Sequence, residues 1–270
     1  MATDQSTDVV MLARALEERG LASLYLPEHT HIPTSRRTPP PTGEDELREE
    51  YRRILDPLVA LSAAAAVTER LRIGTGVCLV AQRDPIVTAK AVATVDHLSG
   101  GRFVFGIGFG WNEDELGHHR VAMKDRRAVA REHVLAMRRL WSDEEARFDG
   151  DYVRFAPSWS WPKPVQQPGP PVLIGGAPGP TLFAHIAEYA DGWMPIGGRG
   201  VKDALPDLHA AAERVGRDPH DLRVVPFGTV PSEEKLEYYA SLGIDEVVAH
   251  LPLRSTAETL TLLDRYAGYA

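Results

Sequence analysis

Cysteine is nearly absent, with Cys78 alone in 270 residues. That excludes a disulfide framework and a cysteine-ligated zinc site, and it fits a cytoplasmic setting. No apolar run reaches membrane-spanning length, and the N-terminus lacks the apolar core of a secretory signal. Positive charge is in deficit: 30 Lys and Arg against 38 Asp and Glu leave a net charge of −8. Nucleic acid and anionic membrane are thereby disfavoured as main partners. An anionic cofactor stays open, because it needs only local donors. Aromatics are sparse at 7%, the 43% hydrophobic content is that of an ordinary globular chain, and 270 residues suffice for one large barrel or two small domains.

What is present is a repeat of strand and helix. The stretch 71–110 shows it best. Leu71 to Leu79 reads as a strand broken by Gly74 and Gly76. Asp84-Pro85 supplies an N-cap and a first-turn proline for a helix that stops at Ser99-Gly100-Gly101. Arg102 to Gly108 is an apolar strand ending in Gly108-Phe109-Gly110-Trp111-Asn112. Two strands joined by a helix lie parallel, and glycines at both ends let something approach the backbone closely.

The same unit recurs about seven times. Helices are expected after Asp8 and Asp56, over 125–141, 180–189 and 201–215, and after Ser232 and Ser255. Strands are expected over 21–26, 171–174, 192–196, 223–227 and 246–250. A hairpin is expected around Asp149-Gly150. The Pro- and charge-rich segment 32–50 reads as a long, lid-like loop, and 112–124 reads as a polar turn. Strict alternation over this length implies an α/β fold, a (β/α)8 barrel in one domain, over a doubly wound sheet. Residues 1–7 carry no apolar run, so the opening strand of such a barrel is missing or truncated: either the start is misassigned, or the barrel is open between the 21–26 and 246–250 strands.

Several residue groups carry chemistry. Gly106-x-Gly108-x-Gly110 resembles a dinucleotide fingerprint, but the third glycine comes one residue early, so that reading is rejected. Gly175-Gly176-Ala177-Pro178-Gly179, between a strand and a helix, offers bare N–H groups to a phosphate. The alternative is a tight turn without a ligand. His29 falls just past an early strand, at the face where barrels do chemistry, and can move a proton near neutral pH; it can equally be a hydrogen-bonded rim residue. His29-x-His31 could start a metal site, but later strand ends carry Gly175-Gly176, Gly197-Gly198 and Leu251-Pro252, so no metal is expected. His118 and His119 read as solvated, Trp159 and Trp161 as packing residues, and Cys78 as a small buried filler.

Asp96-His97-Leu98-Ser99-Gly100-Gly101-Arg102 followed by Gly106-Ile107-Gly108-Phe109-Gly110-Trp111-Asn112-Glu113 resembles the bacterial luciferase-like monooxygenase superfamily. The likeness is strongest to its actinobacterial branch, which uses the deazaflavin coenzyme F-420, and it runs from about residue 8 to the C-terminus. Tyr25-Leu26-Pro27-Glu28-His29, Gly74-Thr75-Gly76-Val77, Trp161-Pro162-Lys163-Pro164 and Val172-Leu173-Ile174-Gly175-Gly176 extend it, with an insertion at about 142–170. The resemblance implies a hydride-transferring oxidoreductase with a small organic substrate, working as a homodimer without nucleic acid or membrane. It implies His29 as the catalytic residue, beside the deazaflavin ring. It implies a cis peptide joining Gly76 and Val77 behind that ring. Thr75, Gly76, Val77, Gly108, Gly110, Trp111, Gly175, Gly176, Ala177 and Gly197 are then the cofactor-binding residues. Flavin mononucleotide with oxygen-dependent monooxygenation, and a cofactor-binding paralogue without turnover, are the alternatives. Sugar-phosphate dehydrogenases of the family place a glutamate where this chain has Trp111, which argues against that substrate.

Overall fold

A computed structural model describes residues 1–39 and 46–269. Elements follow in chain order: α1 Val9–Glu18, β1 Ser23–Leu26, α2 Pro57–Ala65, β2 Arg72–Thr75, β3 Cys78–Leu79, α3 Pro85–Ser99 and β4 Phe103–Gly108. Then come α4 Glu113–His118, α5 Arg126–Ser142, β5 Ala146–Asp149, β6 Arg154–Ser158, β7 Val172–Gly175 and α6 Pro180–Tyr189. The chain closes with β8 Gly192–Met194, α7 Val201–Arg214, β9 Arg223–Val224, β10 Phe227–Thr229, α8 Glu233–Ser241, β11 Val248–Ala249 and α9 Thr256–Ala267.

Local chemistry explains most starts and stops. Asp8, Asp56 and Asp84 accept backbone N–H bonds from the first turns of α1, α2 and α3, and Pro57 and Pro85 occupy positions whose N–H would have no partner. Gly100 ends α3 at φ 63°, a left-handed conformation costly for any residue with a Cβ. Ser255 and Glu258 form a reciprocal capping box on α9.

The sheet runs β1-β2-β4-β7-β8-β9, all parallel, with β3 continuing β2 against β4. β9 and β10 are one run broken at Val225-Pro226. Val225 N–H reaches Trp193 O at 2.9 Å, and Phe227 N–H reaches Pro195 O at 3.0 Å. β10 then pairs with β11. Two separate apolar clusters flank the curled sheet. One packs the outer face against the helices; the other holds Val104, Leu173, Met194 and Val225 inside the curl, with Tyr25, Val77, Phe227 and Val248 against them. A doubly wound sheet would carry helices on both faces instead; the fold is of the TIM-barrel type.

Among the described residues, no strand precedes α1. Residues 1–7 do not pair with β1 or β11 as a strand. Thr3 bridges antiparallel to Ile54, Leu55 N–H donates to Ala2 O at 3.1 Å, and the N-terminal amine reaches Leu251 O at 3.5 Å. Among the described residues no strand is hydrogen-bonded between β1 and β11, although the two lie next to each other.

Three expectations need correction. The 112–124 segment is not simply a turn, because Asn112 caps the helix α4. Trp159 and Trp161 do not pack in the core; they are 77% and 58% exposed beside the β5–β6 hairpin. The 71–79 strand is interrupted, with Gly76-Val77 between β2 and β3. Part of the expected lid, residues 40–45, lies outside the described residues; on either side of it Arg37 pairs with Asp114 and residues 49–53 form a 3-10 turn.

Candidate active site

The C-terminal ends of the strands converge on His29, which leaves β1 through Pro27-Glu28. Its imidazole is 6% exposed. Nδ1 lies 2.8 Å from Glu115 Oε2, and the Glu115 carboxylate is 1% exposed. The Trp111 indole N–H donates to His29 Nε2 at 3.3 Å. An indole nitrogen can only donate, so Nε2 carries the lone pair and Nδ1 carries the hydrogen that Glu115 accepts. Tyr51 places its ring 5.6 Å from the imidazole.

Each partner has a reason to be there. Glu115 sits three residues after the N-cap Asn112, whose side chain accepts from the N–H groups of Asp114 and Glu115. Asn-x-x-Glu is a capping-box spacing, but here the glutamate reaches across to β1's exit instead of back to its own cap. The first turn of α4 suits its charge. Glu28, next to His29 and equally buried, accepts from Leu79 N–H at 2.6 Å and from Arg83 Nε at 2.6 Å. Arg83 also pairs with Asp56 at 2.5 Å. This chain of charges fixes the exit of β1 to β3 and to the start of α2, so His29 is placed by a rigid support. Sequence reading missed Glu115 and Glu28. The Asn112-x-x-Glu115 spacing was the available signal for the first; nothing in spacing marks the second.

The peptide joining Gly76 and Val77 is cis, as the resemblance implied. Its surroundings revise the reading of the glycines. A Cβ on Gly108 would lie 2.6 Å from Val77 Cγ2, and one on Gly175 would lie 2.8 Å from Val77 Cγ1. Those two glycines make room for Val77. A Cβ on Gly106 would likewise lie 2.0 Å from Thr75 O, and Thr75 Oγ1 donates to Gly106 O at 2.6 Å. Thr75 is completely buried, so its hydroxyl ties β2 to β4 below the site. Gly110, at φ 80°, turns the chain past Leu116 and Gln82.

The remaining residues lie around the same mouth. Trp193 Nε1 donates to Gly176 O at 2.9 Å, which holds the 175–179 turn, while Ala177 and Pro178 face solvent. α6 begins after Gly179 without a side-chain cap. Gly197, at φ 68°, is exposed beside Ile196, itself 67% exposed at the end of β8. Cys78 is fully buried, and burial, then Glu28, push its thiol well above the ordinary range, so it is a filler and no nucleophile. His118 and His119 are not merely solvated. His31 Nε2 lies 2.8 Å from His118 Nδ1, and Thr30 Oγ1 lies 3.0 Å from His119 Nε2, tying the 30–37 segment to α4.

The mouth fits a flat, phosphate-bearing cofactor. Val77 and Trp111 are half-buried, and Ile196 and Val230 are exposed apolar side chains at strand ends that a ring system would cover. Both amide atoms of Gln82, Nδ2 of Asn112 and Oε1 of Glu115 are buried without a partner among the described residues. A polar ring edge would satisfy such groups. The uncapped α6 start and the 175–179 turn suit a phosphate.

The 96–102 motif that carried the family resemblance lies elsewhere and is scaffold. The fully buried Asp96 accepts from Gln166 Nε2 at 2.6 Å and Gln166 N–H at 2.9 Å, pinning the insertion. Arg102 donates to Ser99 O at 2.7 Å and Thr68 O at 2.8 Å.

Comparison with known proteins bears on the family and the fold. The family model for luciferase-like monooxygenases matches residues 2–246. An uncharacterized protein of Mycobacterium tuberculosis is 44% identical, covering 98% of this chain and 95% of its own. An F420-dependent glucose-6-phosphate dehydrogenase of Intrasporangium calvum is 32% identical, over 73% of this chain and 60% of its own. The crystal structure of the monooxygenase RslO1 from Streptomyces bottropensis superposes with a TM-score of 0.68 at 26% identity, over 96% of this chain and 72% of that one.

Proposed function

Since the chain belongs to the luciferase-like monooxygenase family, we propose that it binds coenzyme F-420 at the C-terminal face of its barrel and transfers hydride between it and a small organic substrate. The observation that carries this is His29, buried between Glu115 and Trp111 beside the Gly76-Val77 bulge. Relatives named for F420 support the choice of cofactor.

When bound, a deazaflavin supplies a ring carbon that takes or gives a hydride and is poor at oxygen chemistry. The protein's residues do the rest. Gly175, Gly176 and Ala177 with the start of α6 would hold the phosphate; Val77 and Ile196 would bear on the ring. His29 Nε2 takes a proton from a substrate hydroxyl as the neighbouring carbon gives up hydride, or returns it in the reverse direction. Each turnover thus moves one hydride and one proton. Glu115 balances the imidazolium that forms, and its hydrogen bond to Nδ1 keeps Nε2 facing the mouth. Trp111 must yield its contact with Nε2 as substrate enters. It also fills the position where the family's sugar-phosphate dehydrogenases carry a glutamate, so we place glucose 6-phosphate outside the substrate range.

Flavin mononucleotide with oxygen is the second reading, favoured by the likeness to a monooxygenase. Turnover of the F-420-loaded protein with a panel of enones, ketones and alcohols tests the proposal. Anaerobic change of the deazaflavin band with at least one panel member is expected. Binding without turnover on any member would point to a non-catalytic paralogue.

A further inference from the structure

One group of donors lies beside the site but takes no part in the chemistry above. Phe109 follows β4, and extending the pairing of Ile107 with Ile174 by two residues sets it opposite Gly176. Arg127, in the first turn of α5, places its guanidinium carbon 4.7 Å from the Phe109 ring centre. His185 on α6 lies 5.5 Å from the same ring, and Tyr189 lies 5.6 Å from His185. Arg127 Nη1, His185 Nδ1 and Tyr189 Oη are all buried without a hydrogen-bond partner among the described residues, and Tyr189 is only 4% exposed.

The charges nearby do not satisfy this group. Arg131, one turn along α5, is taken by Glu188 at 2.8 Å and 2.9 Å. Arg126 adds another cation, and its Nη1 is spent on Met123 O. Burial, then Arg126, lowers the Arg127 guanidinium from its usual value; burial, then Arg127, lowers His185. A buried polar group left unpaired costs about 1–3 kcal/mol, and two beside the Phe109 ring with a third beside His185 mark a place built for an acceptor. A guanidinium suits a carboxylate best, since it can give two parallel N–H bonds.

We propose that Arg127, His185 and Tyr189 form an anion subsite that takes a carboxylate of the acidic tail of coenzyme F-420, beyond the phosphate held at the Gly175–Gly179 turn. This rests on the F-420 reading above. It adds a basis for selectivity, because flavin mononucleotide ends at its phosphate and has nothing to place there.

The test compares three ligands by fluorescence titration of the whole protein: coenzyme F-420 with its glutamyl tail, the same deazaflavin ending at the phosphate, and flavin mononucleotide. The parent should bind the tailed form about tenfold more tightly than the phosphate-ended form, as expected for a charge-assisted pair. Arg127→Met and His185→Gln should erase that difference while leaving the phosphate-ended form within about twofold of its parent affinity. Arg127→Lys, which keeps the charge, should restore part of it, and its melting curve controls for folding. Equal affinities of the two deazaflavins for the parent would overturn the subsite and leave the F-420 reading standing. Equal weakening of both by Arg127→Met would do the same. Failure of the parent to bind either deazaflavin would remove the cofactor reading, and the subsite with it.

Discussion

His29 shows how much of the proposed chemistry depends on its neighbours. Replacing it by alanine removes the proton-moving atom but leaves the 175–179 turn and the Val77 bulge untouched. F-420 affinity should be nearly unchanged while kcat falls by roughly 10²–10⁴-fold. If His29→Ala turned over like the parent, the histidine would be a rim residue. Glu115→Gln is subtler. The amide can still accept from Nδ1 at 2.8 Å but no longer balances an imidazolium. A loss in kcat of about tenfold or more with little change in KM is expected, and a change confined to KM would place Glu115 in binding alone. Both residues were reachable from sequence to different degrees. His29 was marked by its place after a strand. Glu115 was hidden, because its partner is 86 residues away and its spacing to Asn112 reads as an ordinary helix cap.

At the scale of elements, the glycines tell most. Their clustering at strand ends suggested close approach by a ligand. For Gly108 and Gly175 the approaching group is Val77, which only the folded register of β2, β4 and β7 could reveal. Gly108→Ala should therefore destabilise by about 1–3 kcal/mol, and Val77→Ala should rescue most of that in the double variant. Additive losses in denaturant titrations would contradict this packing account. α1 is held to β2 in another way. Glu17 accepts N–H bonds from Glu69, Arg70 and Leu71 at 3.0, 2.6 and 2.8 Å. Burial raises the Glu17 pKa, but the three backbone donors outweigh it, and the folded value lies below 4.5. A depressed carboxylate stabilises above its unfolded pKa and loses that contribution as pH falls through its folded value. Glu17→Gln should lower Tm at pH 7 by about 2 °C or more, and the difference should shrink as acid protonates the folded carboxylate, below the ordinary carboxylate range. A constant difference at all pH values would mean that charge plays no part. Helix caps such as Asp8, Asp56 and Asp84 were legible because their chemistry is local. The α4 helix was not, because an acidic run after Asn112 looks like loop until His29 and Arg37 are seen to engage it.

For the whole molecule, strand and helix alternation carried the fold class, since length and repeat number leave few ways to close a parallel sheet. The gap before β1 was legible too, from the missing apolar run in residues 1–7. How residues 1–3 are held was not, because Thr3, Ala2 and the N-terminal amine engage partners distant in sequence. With no strand among the described residues on their outer edges, β1 and β11 should exchange amide hydrogens faster than the central β4 and β7. Uniform protection across the wall would contradict that. The central claim is that this barrel holds a deazaflavin in preference to a flavin. The most direct test is an absorption spectrum of the protein after incubation with equimolar coenzyme F-420 and flavin mononucleotide, followed by desalting. The account predicts a retained deazaflavin band with little flavin; a retained flavin spectrum with no deazaflavin would contradict it.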